Sequence, residues 1–267
     1  MRGRRSIFLL SMLAFGYAFL YLPIATLIFY SFNESRLVTV WSGFSVKWYG
    51  ELWRNEALIG AALASLEVAV VAATGAAVLG TLAGVALARG GGFPGRTLFS
   101  MMLATPLVLP DVILGLALLL TFVVMEVLIG WPSGRGLGTI AIAHVTFAMA
   151  YVTIVVRARL VGLDPALEEA AMDLGARPAT VFFKITLPMI APAIVAGWLL
   201  AFTLSLDDLV LASFASGPGS TTLPMAVFAS VRLGVSPQIN ALATVIVVAV
   251  AVGVFAAARL GFGATRR

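Results

Sequence analysis

The sequence predicts an all-α polytopic membrane protein with six transmembrane helices, and three observations carry that expectation. Hydrophobic residues fill 61% of the 267 positions, while Asp, Glu, Lys and Arg fill only 11%, against about 25% charged in an average soluble domain. The apolar residues gather into six long runs, each matching the ~20 residues that a spanning helix requires. The basic residues then fall unequally on alternate sides of those runs, the asymmetry that orients membrane proteins.

The first run, Ile7 to Tyr30, follows three arginines within the first five residues. It is too long for a signal-peptide core and has no small-residue cleavage site behind it, so it reads as a retained helix. A polar, aromatic stretch from Asn33 to Glu56 separates it from the second run, Leu58 to Ala88. The cluster Arg89-Gly-Gly-Gly-Phe-Pro-Gly-Arg96 breaks the chain there, because helices avoid packed glycine and proline. The remaining runs cover residues 98–128, 137–156, 190–214 and 240–260. The expected organisation is residues 1–57 as first helix and outer loop, 58–260 as a five-helix core, and 261–267 as a short tail. Within the second run, small residues recur every fourth position at Ala72, Ala76, Gly80, Gly84 and Ala88. They present one helical face to which another backbone can come close. A packed interface through Ala76, Gly80 and Gly84 is favoured over lipid-facing alanines.

With the N-terminus inside, Arg2, Arg4, Arg5, Arg89, Arg96, Arg157, Arg159, Arg177, Lys184, Arg259, Arg266 and Arg267 are cytoplasmic. Only Arg36, Lys47, Arg54, Arg135 and Arg232 lie outside, so six spans with both termini cytoplasmic is the expected topology. Trp41, Trp48, Trp53 and Trp131 fall on the outer side, where indole rings suit the headgroup level. This topology accounts for the net charge of +5, and no clustered basic face suggests nucleic acid. The absence of cysteine excludes disulfides, thiolate metal sites and cysteine nucleophiles. Lys47 and Lys184 are the only lysines and neither follows glycine, so no nucleotide-binding P-loop exists. No catalytic motif or metal-ligand spacing is present.

The longest inner loop, residues 157–188, carries the sharpest pattern. Asp164-Pro165 is a helix start, and Glu168 and Glu169 complement the positive end of the helix dipole. Gly175 stops that helix, Pro178 opens a second short one carrying Val181, Phe182 and Ile185, and Pro188 marks the return to the membrane. A helical hairpin of this kind is either a plain connector or a docking element. The spacing Glu169-Ala170-Ala171, three residues, Gly175, nine residues, Ile185, one residue, Leu187-Pro188 resembles the EAA loop of ATP-binding-cassette (ABC) import permeases at every specified position. Stretches at residues 44–49, 105–111, 205–214, 216–224 and 231–244 also look like the spermidine/putrescine permeases, most closely their second subunit.

The resemblance implies a type I ABC importer permease fold in a prokaryotic inner membrane, with loop 157–188 coupling the spans to an ATPase. It implies as partners a second permease subunit, two copies of a cytoplasmic ATPase that binds ATP and Mg, and an extracytoplasmic solute-binding protein. No cofactor is then expected in this chain, nor an enzymatic role. Cargo is read from charge. Carboxylates within spans are costly and normally face protein or a watery cavity. Four lie within spans: Glu67 near the outer third of the second run, Asp111 near the middle of the third, and Asp207 with Asp208 toward the outer part of the fifth, while Glu126 falls at the outer boundary. Asp111, Asp207 and Asp208 are the candidate pathway residues. Asp207 and Asp208 would lie about 100° apart on one helix, so both face one cavity only if the helix ends there. With no Lys or Arg deep in a span, a cation such as a polyamine is favoured. Another amine, a ferric ion or, as the weakest fit, an anion are the rival cargoes, and a channel or scaffold without an ATPase is the rival class. Pro106 and Pro110 either interrupt the third helix and free carbonyls for a polar path, or mark a helix start. His144 reads as a packing residue with one hydrogen bond, because no titratable neighbour for a proton relay is identifiable.

Overall fold

The computed structural model describes residues 2–37, 40–234 and 236–264, and the regular elements among them are helices. Its helices are α1 (Arg2–Ser31), α2 (Lys47–Arg54), α3 (Glu56–Arg89), α4 (Arg96–Val108), α5 (Asp111–Ile129), α6 (Leu137–Val161), α7 (Ala166–Asp173), α8 (Pro178–Val181), α9 (Leu187–Leu206), α10 (Val210–Ala215), α11 (Leu223–Leu233) and α12 (Pro237–Ala264). A π-helical segment, Phe182–Thr186, joins α8 to α9. Among the described residues, five helical stretches are long and apolar enough to cross a membrane: Ile7–Ser31, Glu56–Arg89, Asp111–Ile129, Leu137–Val161 and Pro178–Leu206. The sixth predicted run lies on α12, a helix of 28 residues whose described apolar part is Pro237–Val252. Residues 265–267 of the predicted tail, with Arg266 and Arg267, lie outside the described residues, and 261–264 continue α12.

The chain divides into two compact units, Met1–Ile59 with Val227–Arg267, and Gly60–Ala226. In the first, α12 packs against α1 and α2. Its loop after α1 is organised by Asn33, which is fully buried. The Asn33 amide donates to Val40 O at 2.7 Å and Leu37 O at 3.3 Å, and its oxygen accepts from the Ser42 and Ser35 amides. All four hydrogen-bonding positions of the amide are thus filled, which removes the penalty for burying it. The Trp48 indole N–H donates to Asn33 O at 2.7 Å and the ring is 3% exposed. Trp48 is therefore a core residue of this unit, unlike Trp41, Trp53 and Trp131, which are exposed.

In the second unit α6 is the central helix, with buried residues from Thr139 to Leu160. It packs on α9, α4 and α10. Ala76 is fully buried in the same cluster as Val152 and Val156 of α6. A Cβ on Gly80 would come within 2.7 Å of Val152 Cβ and 2.9 Å of Met149 O, and one on Gly84 within 3.2 Å of Val156 Cγ1. The small-residue face of α3 thus lies against α6 at a separation that larger side chains would not allow.

Two predicted runs prove to be interrupted. The third divides at Leu109-Pro110 into α4 and α5: Leu109 is extended (φ −74°, ψ 139°), as the clash with a following proline ring demands. Pro106 stays inside α4, whereas Pro110 leads into α5, so of the two prolines only Pro110 marks a helix start. The fifth run ends its first helix at Leu206 and resumes at Val210 as α10. The second hairpin helix, in contrast, does not stop at Pro188. Helix continues from Pro178 to Leu206, and Leu187 N bonds to Phe182 O in a π turn just ahead of Pro188. Proline lacks an N–H and its ring crowds the carbonyl four residues back. The wider turn gives that crowding room without ending the helix.

Candidate functional site: a helical hairpin and a broken helix

The hairpin forms for local reasons. Asp164 Oδ1 accepts from Ala166 N at 2.9 Å, satisfying one of the free amides at the start of α7. The end of α7 is closed by two bonds, Ala176 N to Ala171 O at 3.0 Å and Gly175 N to Met172 O at 2.9 Å. That pair is a Schellman turn, and it needs a left-handed residue; Gly175, at φ +86°, supplies it. The turn directs the chain into α8.

Seen by exposure, the EAA spacing has two ends. Glu169, Ala170 and Gly175 are exposed and Ala171 is half-buried; Leu174 at the turn is 90% exposed. Ile185 and Leu187 are partly buried, and Leu187 packs against the cluster of Leu160, Ile190 and Val156, with Pro188 exposed in the first turn of α9. One end offers a surface, and the other roots it in the helices of the second unit. No side chain of α7 is buried.

From the sequence, Glu168 is expected only to complement a helix dipole. The structure gives it more. Arg89, the last residue of α3, donates from Nε to Glu168 Oε2 at 3.0 Å and from Nη2 to Leu163 O at 3.3 Å. Thr186 Oγ1 donates to Glu168 Oε1 at 2.9 Å. Beside this junction lies a cavity of about 460 Å³ lined by Val85, Met172, Pro178, Val181 and Phe182 among others.

The second feature is the interruption between α9 and α10. Asp207 is exposed and caps α9, its amide bonding to Thr203 O at 3.3 Å. Asp208 turns inward, with a side chain 11% exposed, and its Oδ1 accepts from Ala212 N at 2.8 Å. The same oxygen lies 3.2 Å from His144 Nε2, without hydrogen-bond alignment. His144 is buried and its Nδ1 is 2.7 Å from Ser205 Oγ. His144 therefore has the titratable neighbour that the sequence did not reveal. It sits on α6, 61 residues from Ser205, so no local pattern could have announced the pairing. Asp111 is exposed as the first residue of α5, at the other interruption. The helices carrying these breaks are neighbours: α10 packs on α5, where Gly115 makes room for the Phe214 ring. Glu67 and Glu126 are exposed on α3 and α5.

Residues 76–262, which include both features, match the family of binding-protein-dependent transport system inner membrane components. The chain belongs to that family. As the EAA spacing led one to expect, this inner membrane component has ABC permeases among its relatives. It is 60% identical over 248 residues to the putrescine transport system permease protein PotI of Escherichia coli (strain K12), covering 93% of this chain and 88% of PotI. It is 43% identical over 232 residues to the spermidine/putrescine transport system permease protein PotC of the same organism, covering 87% of this chain and 85% of PotC. In three dimensions it resembles a chain of a bacterial ABC transporter involved in the import of the acidic polysaccharide alginate, with a TM-score of 0.74 over 97% of each chain. At 15% identity that likeness establishes the permease fold and leaves cargo open.

Proposed function

We propose that the chain is a permease subunit of an ATP-driven importer and forms half of a translocation pathway for putrescine or a similar cationic polyamine. The observation that carries the reading is the 60% identity to a putrescine permease across 88% of its length. Charge supports it: Asp111 and Asp207 are exposed carboxylates at helix interruptions, suited to an ammonium cargo once a second permease subunit encloses them. Asp208, already accepting from Ala212 N and turned toward His144, would shape this path rather than meet cargo directly. The hairpin 157–188 and both termini face the cytoplasm, as the distribution of arginines favours. Glu169, Ala170 and Gly175 meet an ATPase subunit, which binds ATP and Mg, and the opposite side receives a loaded solute-binding protein. Ile185, Leu187 and Pro188 root the hairpin in α9.

The test of cargo is uptake of labelled putrescine by vesicles containing the chain with its partner permease, ATPase and binding protein. ATP-dependent accumulation, displaced by spermidine and weakened in the Asp111→Asn and Asp207→Asn variants, is expected. Parental uptake in both variants would remove the proposed path, and absence of polyamine uptake with ATP hydrolysis intact would point to another cargo.

A further inference from the structure

We propose that Glu168 is a positioning residue that clamps the hairpin to α3 and α9, so that movement of the hairpin is carried into both helices. The proposal rests on the coupling role assigned above to the hairpin. Three elements meet at one carboxylate: Glu168 belongs to α7, Arg89 ends α3, and Thr186 lies in the π segment leading into α9. Each carboxylate oxygen is held by a different element, Oε2 by Arg89 and Oε1 by Thr186. Arg89 is fixed in turn by Leu163 O, just before α7.

Packing holds α7 weakly: it meets α8 and the π segment but has no buried side chain, and a cavity lined by Val85 of α3 and Met172 of α7 lies beside it. The polar junction ties it to the end of α3 and to Thr186. The Arg89 and Glu168 side chains are 23% and 16% exposed, and Thr186 is 4% exposed, so water competes weakly. A charge-assisted bond in such surroundings holds its geometry, whereas an exposed pair is worth little. The position of Thr186 adds a second consequence. A π turn is a locally widened stretch of helix, often placed at functional sites. By tying that stretch to α7, Glu168 makes a shift of the hairpin act on the root of α9 as well as on α3. Glu169, the next residue, is exposed and has no side-chain partner among the described residues. The two neighbouring carboxylates thus divide the labour, Glu169 toward the ATPase and Glu168 toward the spans.

The test uses the complete transporter in vesicles and reads three quantities: ATPase subunit recovered with the complex, ATP hydrolysed, and putrescine accumulated per ATP. Glu168→Gln puts an amide against Arg89 and is expected to keep the ATPase bound while transport per ATP falls about tenfold, a typical energetic span for coupling residues. Thr186→Val is expected to lower the same ratio and Thr186→Ser, which keeps the hydroxyl, to restore it. A merely structural role would change recovery of the complex and leave the ratio alone. A parental ratio in Glu168→Gln overturns the clamp. Where that variant yields no complex, equal ratios in Thr186→Val and Thr186→Ser overturn it instead. Glu169→Lys separates the two readings. If it loses the ATPase while Glu168→Gln behaves as the parent, the clamp alone is wrong. If both variants bind the ATPase and transport as the parent does, the coupling role falls with it.

Discussion

The hairpin and the α9–α10 interruption are both places where a helix is made to stop, and they are built in opposite ways. At the hairpin the stop is made by backbone: Gly175 adopts φ +86° and the carbonyls of Ala171 and Met172 find amides within the turn. Side chains such as Leu174 and Glu169 are left facing outward. At the interruption α9 also ends on a backbone bond, Asp207 N to Thr203 O, but side chains hold the restart: Asp208 takes the Ala212 amide, and buried His144 and Ser205 stand behind it. The first construction leaves a surface free for a partner. The second spends its polar groups internally and exposes only Asp207. Variants of the interruption should therefore act through stability, and variants of the hairpin through association.

The largest expected effect is at Asp208. Asp208→Ala leaves the amide of buried Ala212, in the first turn of α10, without its side-chain acceptor, at a cost of about 1–3 kcal/mol for the orphaned group. Thermal unfolding of the detergent-solubilised protein should show a clear drop, and Asp208→Asn, which keeps an acceptor oxygen for Ala212, a smaller one. Equal losses in the two variants would show that the carboxylate charge, not the cap, matters.

Next comes Gly175→Val. A β-branched residue in the left-handed region costs about 1–2 kcal/mol or more, but the strain falls on a solvent-facing turn. The hairpin should reorient rather than the molecule unfold. Copurification of the ATPase should be lost while the unfolding temperature barely changes; a large fall in that temperature would erase the contrast between the two regions.

Smaller still is Ser205→Ala, which removes the partner of His144 Nδ1 for about 1 kcal/mol. It should lower the unfolding temperature by less than Asp208→Ala does. The smallest stability effect is expected from Leu174→Ala, since the side chain is 90% exposed. It should leave unfolding unchanged and weaken ATPase binding, measured by titration of the ATPase onto the reconstituted permease.

The two regions also differ in how legible they were. The hairpin is written in adjacent residues: Asp164-Pro165 starts a helix, Gly175 ends it, and the EAA spacing names the family. Its continuation through a π turn was not legible, because Pro188 looks like a stop unless the preceding turn widens. The interruption was half legible. Asp207 and Asp208 raise the question of a helix end, but that Asp208 turns inward toward His144 of α6, far away in sequence, is decided by folding. The same is true of Glu168, whose partner Arg89 lies 79 residues earlier. Arg89 was readable as a span-end cation and not as half of a pair. Asn33 and Trp48 follow the rule as well: a polar residue and an indole between two apolar runs suggest exposure, and only tertiary hydrogen bonding makes them core. Local chemistry could be read directly, and contacts made by folding could not.

The most direct measurement is ATP-dependent accumulation of labelled putrescine in vesicles containing the complete transporter, comparing the parent chain with Glu169→Lys. The exposed carboxylate should be needed for the ATPase to drive the spans. The expected result is accumulation by the parent and, in the variant, uptake reduced to the level seen without ATP. Accumulation by Glu169→Lys equal to that of the parent would contradict the account.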